Sequence, residues 1–181
     1  MILDALQMFD LPASPRNLAQ IVGTYASGNV LDYGILSGIP SSANGGGARD
    51  MGIGDDPALK LLVQVSTAFV SGGGGTLQIF LQGAVDDGTG APAAFSTWWS
   101  SPLYTIAQMV AGARLLNMDF PRPPQGVAVP RFVRLLYGVA TATITAGAVV
   151  AGVVLDRDDQ MYQSTNNAVL GGYPPGLVVA N

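Results

Sequence analysis

The chain has 181 residues and a formal net charge of −4; 49% of its residues are hydrophobic and only 11% are charged. An ordinary soluble domain carries about 25% charged residues, so part of this surface is expected to be covered by other subunits. With no His and no Cys, Ser-His-Asp and Cys-His catalysis, Cys/His zinc sites and disulfides are all excluded. The eight Lys and Arg are scattered, which gives no cationic cluster for nucleic acid.

Every acidic residue is Asp, and Lys60 is the single lysine. Glu and Lys favour helices, whereas Asp favours turns and caps. Together with 24 Gly, 12 Pro and many Val and Thr, this composition describes strands joined by turns. The length suits one domain with terminal extensions.

The opening MILDALQMFD has Asp4 and Asp10 and no basic residue before Arg16, so no signal peptide is expected. Residues 1–28 read as an N-terminal arm. Within it, Ser14 and Pro15 ahead of Leu18, Ile21 and Val22 fit either a short helix with Ser as N-cap or an extended surface segment. Residues 29–33 (NVLDY) form a short strand ended by Gly34, the start of a sandwich domain predicted over 29–158.

Residues 35–58 contain SSANGGGARD and Pro57, a long loop with no regular element. A loop of this length is expected to be functional, here as a contact loop ordered by assembly. In Leu59–Phe69 the odd positions Leu59, Leu61, Val63, Val65, Thr67 and Phe69 share one face. Gly72–Gly75 turn the chain, and Leu77, Ile79 and Leu81 alternate in the next strand, so the pair is predicted to be a β-hairpin.

Asp86, Asp87 and Gly88 lie in a turn. Weaker strands follow at 94–100, 103–111 and 115–120, the last closed by PRPP at 121–124. Val133, Leu135, Tyr137 and Val139 alternate in a strand over 131–140. The uncharged stretch Leu135–Leu155 is long enough to span a bilayer. Its three Thr and three Gly, with a break at Thr145-Ala146-Gly147, fit two strands better than a helix. Residues 147–155 are apolar on both faces, as in a strand buried on both sides. Residues 159–181, with YPPG at 173–176, read as a tail.

The fold class expected is therefore all-β: a jelly-roll-like antiparallel sandwich with extended N- and C-terminal arms. Leu61, Val63, Val65, Leu77, Ile79, Leu81, Val133, Leu135 and Tyr137 are its expected common core.

Little in the sequence suggests chemistry. Asp86-Asp87-Gly88 and Asp156, Asp158 and Asp159 lack EF-hand spacing and a bidentate Glu, and read as turn residues. The Gly runs at 45–47 and 72–75 match neither phosphate-binding fingerprint. No catalytic residue, cofactor or metal is expected, and the protein is not expected to be an enzyme. Trp98 and Trp99 stand side by side. On a regular strand one would enter the core and the other face outward, where it would serve as an interface hot spot or as a platform for a sugar ring.

The order of these segments resembles the capsid cement (decoration) proteins of tailed bacteriophages. The resemblance rests on MILD at Met1–Asp4, NVLDYG at 29–34, GIG at 52–54, LLVQVSTAF, the Gly turn, TLQIFLQ, RFVRLLYGVAT, ITAG and VVLD. It covers about residues 1–156. The long 35–58 loop, the TWWSSP and PRPP region and the tail from Gln160 depart from that pattern. What the resemblance implies is a virion structural protein with a jelly-roll-like fold. Such a protein would bind the major capsid protein on the outer surface of the expanded head, after assembly in the host cytoplasm. It would also bind itself, as a dimer or trimer on a capsid symmetry axis, and would cross-link adjacent capsomers.

The alternative is a carbohydrate-binding jelly roll, receptor-binding or lectin-like, on the virion. Neither reading involves nucleic acid or a membrane. The interface residues expected are Ile2, Leu3, Phe9, Met51, Ile53, Trp98, Trp99, Tyr173, Leu177 and Val178.

Overall fold

The computed structural model describes residues 7–33, 59–121 and 130–155. They form the strands β1 (Met8–Asp10), β2 (Arg16–Asn17), β3 (Gly23–Ala26), β4 (Leu31–Asp32), β5 (Leu59–Val70) and β6 (Thr76–Ala84). These are followed by β7 (Ser96–Ser100), β8 (Tyr104–Thr105), β9 (Arg114–Asp119), β10 (Phe132–Ala140) and β11 (Ala146–Leu155). One sheet has the order β1-β11-β5-β9, with β2 also on β11. The other has the order β3-β10-β6-β7, with β4 on β10 and β8 on β6. Neighbouring strands are antiparallel throughout. The chain moves back and forth between the sheets as it advances, and this is the jelly-roll arrangement of an all-β sandwich.

Period-2 alternation sets the core. All nine residues expected there, from Leu61 to Tyr137, are at most 1% exposed and lie in one cluster between the sheets. Phe9, Leu18, Leu31, Ile144, Val149 and Ala151 complete its floor and ends. In β11, Val149, Ala151 and Val153 face this core, while Gly152 and Val154 are buried on the other face. Met8 lies directly over Gly152, where a Cβ would collide with its sulfur. The Leu135–Leu155 stretch is β10 followed by β11, and among the described residues no helix is long and apolar enough to cross a membrane.

Three expectations change. The predicted β5–β6 hairpin does not form: β5 pairs with β11 and β9, β6 with β10, β7 and β8, so Gly72–Gly75 link the two sheets instead. Alternation on two adjacent strands reports a buried face, which both strands of a hairpin and facing strands of a sandwich possess. Second, Thr67 leaves the odd face. Irregular register against β11 between Val65 and Val70 turns it to solvent and returns Phe69 to the core. Third, residues 8–26 are not an arm, because β1 and β2 pair with β11 and β3 with β10. Of the two readings open for the segment after Pro15, the extended one forms. The 35–58 loop and the 159–181 tail lie outside the described residues.

Candidate interaction surface

Alternation between sheets sends the connections to two opposite ends of the sandwich. At one end lie residues 18–22 between β2 and β3, the Gly turn 71–75, the 101–113 crossing from β7 to β9, and the 141–145 turn. Hydrogen bonds tie these segments together. Ile144 N donates to Gln20 O (2.9 Å), Ser71 Oγ to Thr143 O (2.7 Å) and Phe69 N to Met109 O (3.0 Å). The chain has no charged residue in 17–31, 61–85, 88–113 or 135–155, and the centres of all four stretches meet at this end. Here Ile21 (67%), Val22 (55%), Val70 (52%), Leu103 (55%) and Val110 (56%) are exposed. Burying such side chains is favourable by about 1.5–3 kcal/mol each, so this end is an apolar pole.

The opposite end is charged. Arg131 holds the Asp32 carboxylate with two hydrogen bonds (Nε–Oδ1 2.8 Å, Nη2–Oδ2 3.0 Å) and reaches Asp86 through Nη1. Its guanidinium also stacks over Phe132 at 4.7 Å. Lys60 pairs with Asp119 at 3.1 Å. The Asp86–Asp87 loop is built by its own carboxylates: Gly88 N and Gly90 N donate to Asp86, and Thr89 N and Oγ1 donate to Asp87. These bonds hold both carboxyl pKa values below the usual range. Turn chemistry therefore accounts for this acidic pair; Asp156, Asp158 and Asp159 lie outside the described residues. Among the described residues no three metal-ligating side chains converge.

One polar contact crosses the core. Asp10 on β1 accepts a 2.5 Å hydrogen bond from the Tyr137 hydroxyl on β10, and a 2.7 Å bond from Gly28 N. Burial raises both the Asp10 and the Tyr137 pKa. Asn29 adds two bonds to β1, from its side chain to Met8 O and from its backbone N–H to Phe9 O. The NVLD motif thus locks the first strand to the second sheet.

Of the expected interface residues, Ile2, Leu3, Met51, Ile53, Tyr173, Leu177 and Val178 lie outside the described residues. Phe9 is wholly buried, at 0% exposure, in the core of its own chain. Trp98 and Trp99 do not divide between core and outside: both are half-buried and packed against the core. Leu81 faces Trp99 and Gln82 faces Thr97, which leaves Trp98 as the extra residue of a β-bulge. The bulge breaks the alternation. Trp98 turns over Gly83, beside Pro130, instead of outward. Sequence periodicity does not report this end, because its exposed residues sit in loops or, for Val70, at a strand end; the signal is the four charge-free stretches.

No curated protein matches the chain. The Bbp16 family matches residues 18–153, from the segment that follows β2 into the central strand β11. The match spans both sheets, and the chain belongs to the Bbp16 family.

Proposed function

We propose that this protein is a cement protein of a tailed-bacteriophage head, bound to the outer surface of the expanded shell and joining adjacent capsomers. The observation that carries the reading is where the resembling motifs fall. LLVQVSTAF, TLQIFLQ, RFVRLLYGVAT and VVLD lie on β5, β6, β10 and β11, the central strands of the two sheets. NVLDYG supplies Asn29 and Asp32, which fasten β1 and Arg131. The motifs thus specify a whole jelly roll rather than a local turn.

The surface supports a role in assembly. It is poor in charge and ends in an exposed apolar pole, so its desolvation on contact costs little. A shell holding packed DNA is pushed outward, and its weak points lie where capsomers meet. A sandwich that buries a standard interface, about 800 Å² per partner, on two capsomers at once would act as a clamp there. The major capsid protein is the partner in this reading, and repeated copies on the shell make binding multivalent.

The test is addition of the purified full chain to expanded empty shells that lack it. Saturable co-sedimentation and a higher disruption temperature are expected. Shells that neither bind the protein nor gain thermal resistance would refute the proposal.

A further inference from the structure

We propose that the outer face of the β3-β10-β6-β7 sheet binds a sugar ring that carries a carboxylate, with Arg134 meeting the acid group and Phe80 lying under the ring. The proposal stands apart from the cement reading, because it concerns a small ligand on one sheet face and holds whether or not the protein binds a shell.

Alternation builds this face. Val133, Leu135, Tyr137 and Val139 on β10, and Leu77, Ile79 and Leu81 on β6, enter the core. Arg134, Leu136 and Gly138, and Gln78, Phe80 and Gln82, therefore point outward. The register sets Arg134 beside Gln82 and Gln82 beside Thr97, one row across three strands. With neighbouring strands about 4.8 Å apart, the row is roughly 10 Å wide. The next row holds Leu136, Phe80 and Ser100, and beyond it Gly138 stands beside Gln78.

The first row is a set of donors. Arg134 Nε donates to Gln82 Oε1 (2.9 Å), and Gln82 Nε2 donates to Thr97 Oγ1 (3.0 Å). The bonds run one way, so the Thr97 O–H and the remaining guanidinium N–H groups are left to donate. The guanidinium also stacks 3.9 Å from the centre of the Phe95 ring, which fixes its plane before any ligand arrives. Among the described residues Arg134 forms no ion pair, while Asp32 and Asp86 are already held by Arg131. A fixed guanidinium fork with no carboxylate of its own matches one supplied from outside. Arg16 and Arg114 belong to the other sheet, Arg16 with its charge near Asp10 and Arg114 exposed at the start of β9.

Across Phe80 the polarity reverses. Gln78 Nε2 donates to Ser101 O (2.9 Å), which leaves the Gln78 carbonyl oxygen to accept. Between the two glutamines the half-buried Phe80 ring leans over Gly138, where a Cβ would stand 3.0 Å from it. An apolar ring with donors on one side and an acceptor on the other complements a pyranose, whose C–H face packs on an aromatic ring and whose hydroxyls both donate and accept. A lone Asp or Glu side chain would use Arg134 but neither Phe80 nor Gln78.

The test is calorimetric titration of the full chain with trigalacturonate and with its methyl ester, which keeps the rings and removes the charges. The acid should bind, less tightly as salt is added. The ester and the variant Arg134→Gln should each weaken binding about tenfold or more. Arg134→Lys should recover part of that loss at most, since an ammonium cannot form the fork, and Arg114→Gln should bind as wild type does. Circular dichroism and melting check that the variants fold, and the comparison of acid with ester needs no variant.

A wild type that binds no acid, or binds acid and ester equally, would overturn the proposal. So would a folded Arg134→Gln that binds the acid as tightly as wild type. Loss of shell binding by Arg134→Gln, with no sugar acid bound by wild type, would assign the face to a carboxylate of the shell protein and overturn it too. The cement reading fails separately, if wild type leaves shells unbound and unprotected.

Discussion

Asp10 and Tyr137 join the two sheets through the core, and the physics of that pair can be read in its response to pH. Asp10 is 2% exposed, and loss of hydration raises its pKa against the opposing pull of the Tyr137 and Gly28 hydrogen bonds and of Arg16. A carboxyl with a raised folded-state pKa binds its proton more tightly when folded. Its contribution to stability is complete below the unfolded value, about 3.9, and is lost as pH rises through the folded value. Asp10→Asn keeps one oxygen to accept from Gly28 and an amide that can donate to the Tyr137 hydroxyl, but it cannot titrate. Wild type should therefore gain stability relative to Asp10→Asn as pH falls from neutral toward 4, measured by urea midpoints. The opposite trend would show that the hydrogen bonds outweigh burial. None of this was legible in the sequence, where Asp10 read as one polar residue in an arm. A buried carboxylate looks like an exposed one until its partner, more than a hundred residues away, is placed beside it.

At the scale of elements, the sequence was most informative where a strand is regular. Leu77, Ile79 and Leu81, and Val133, Leu135 and Tyr137, alternate without interruption and lie where alternation puts them. It was least informative at bulges, because one extra residue reverses the faces that follow. Thr67 and the Trp98-Trp99 pair were both misassigned for that reason. The β7 bulge needs a glycine opposite it: a Cβ on Gly83 would fall within the Trp98 ring and against Pro130. Gly83→Val should thus destabilise the fold by about 1–3 kcal/mol, the usual range for overpacking, read as a lowered denaturation midpoint. A midpoint equal to wild type would mean that Trp98 moves aside freely. The sheet assignment of β5 and β6 was also out of reach, since nearness in sequence favours a hairpin while burial on a sandwich face looks the same in either case.

Across the whole molecule, the sequence's charge spacing becomes a polarity in space. Asp32, Lys60, Asp86, Asp87, Asp119 and Arg131 gather at one end of the sandwich, and the turns of the uncharged stretches lie at the other. The all-β class and the shared core follow from composition and alternation, whereas the two-ended surface needs the topology. The described residues thus place ion pairs at one end of the sandwich and exposed apolar side chains at the other. The measurement that tests this account most directly is a density map of the intact phage head that contains the protein. The account predicts jelly-roll density on the outer surface at the junctions between capsomers, with each copy touching shell protein from more than one capsomer. Heads whose outer surface shows no such density, or copies that touch a single capsomer only, would contradict it.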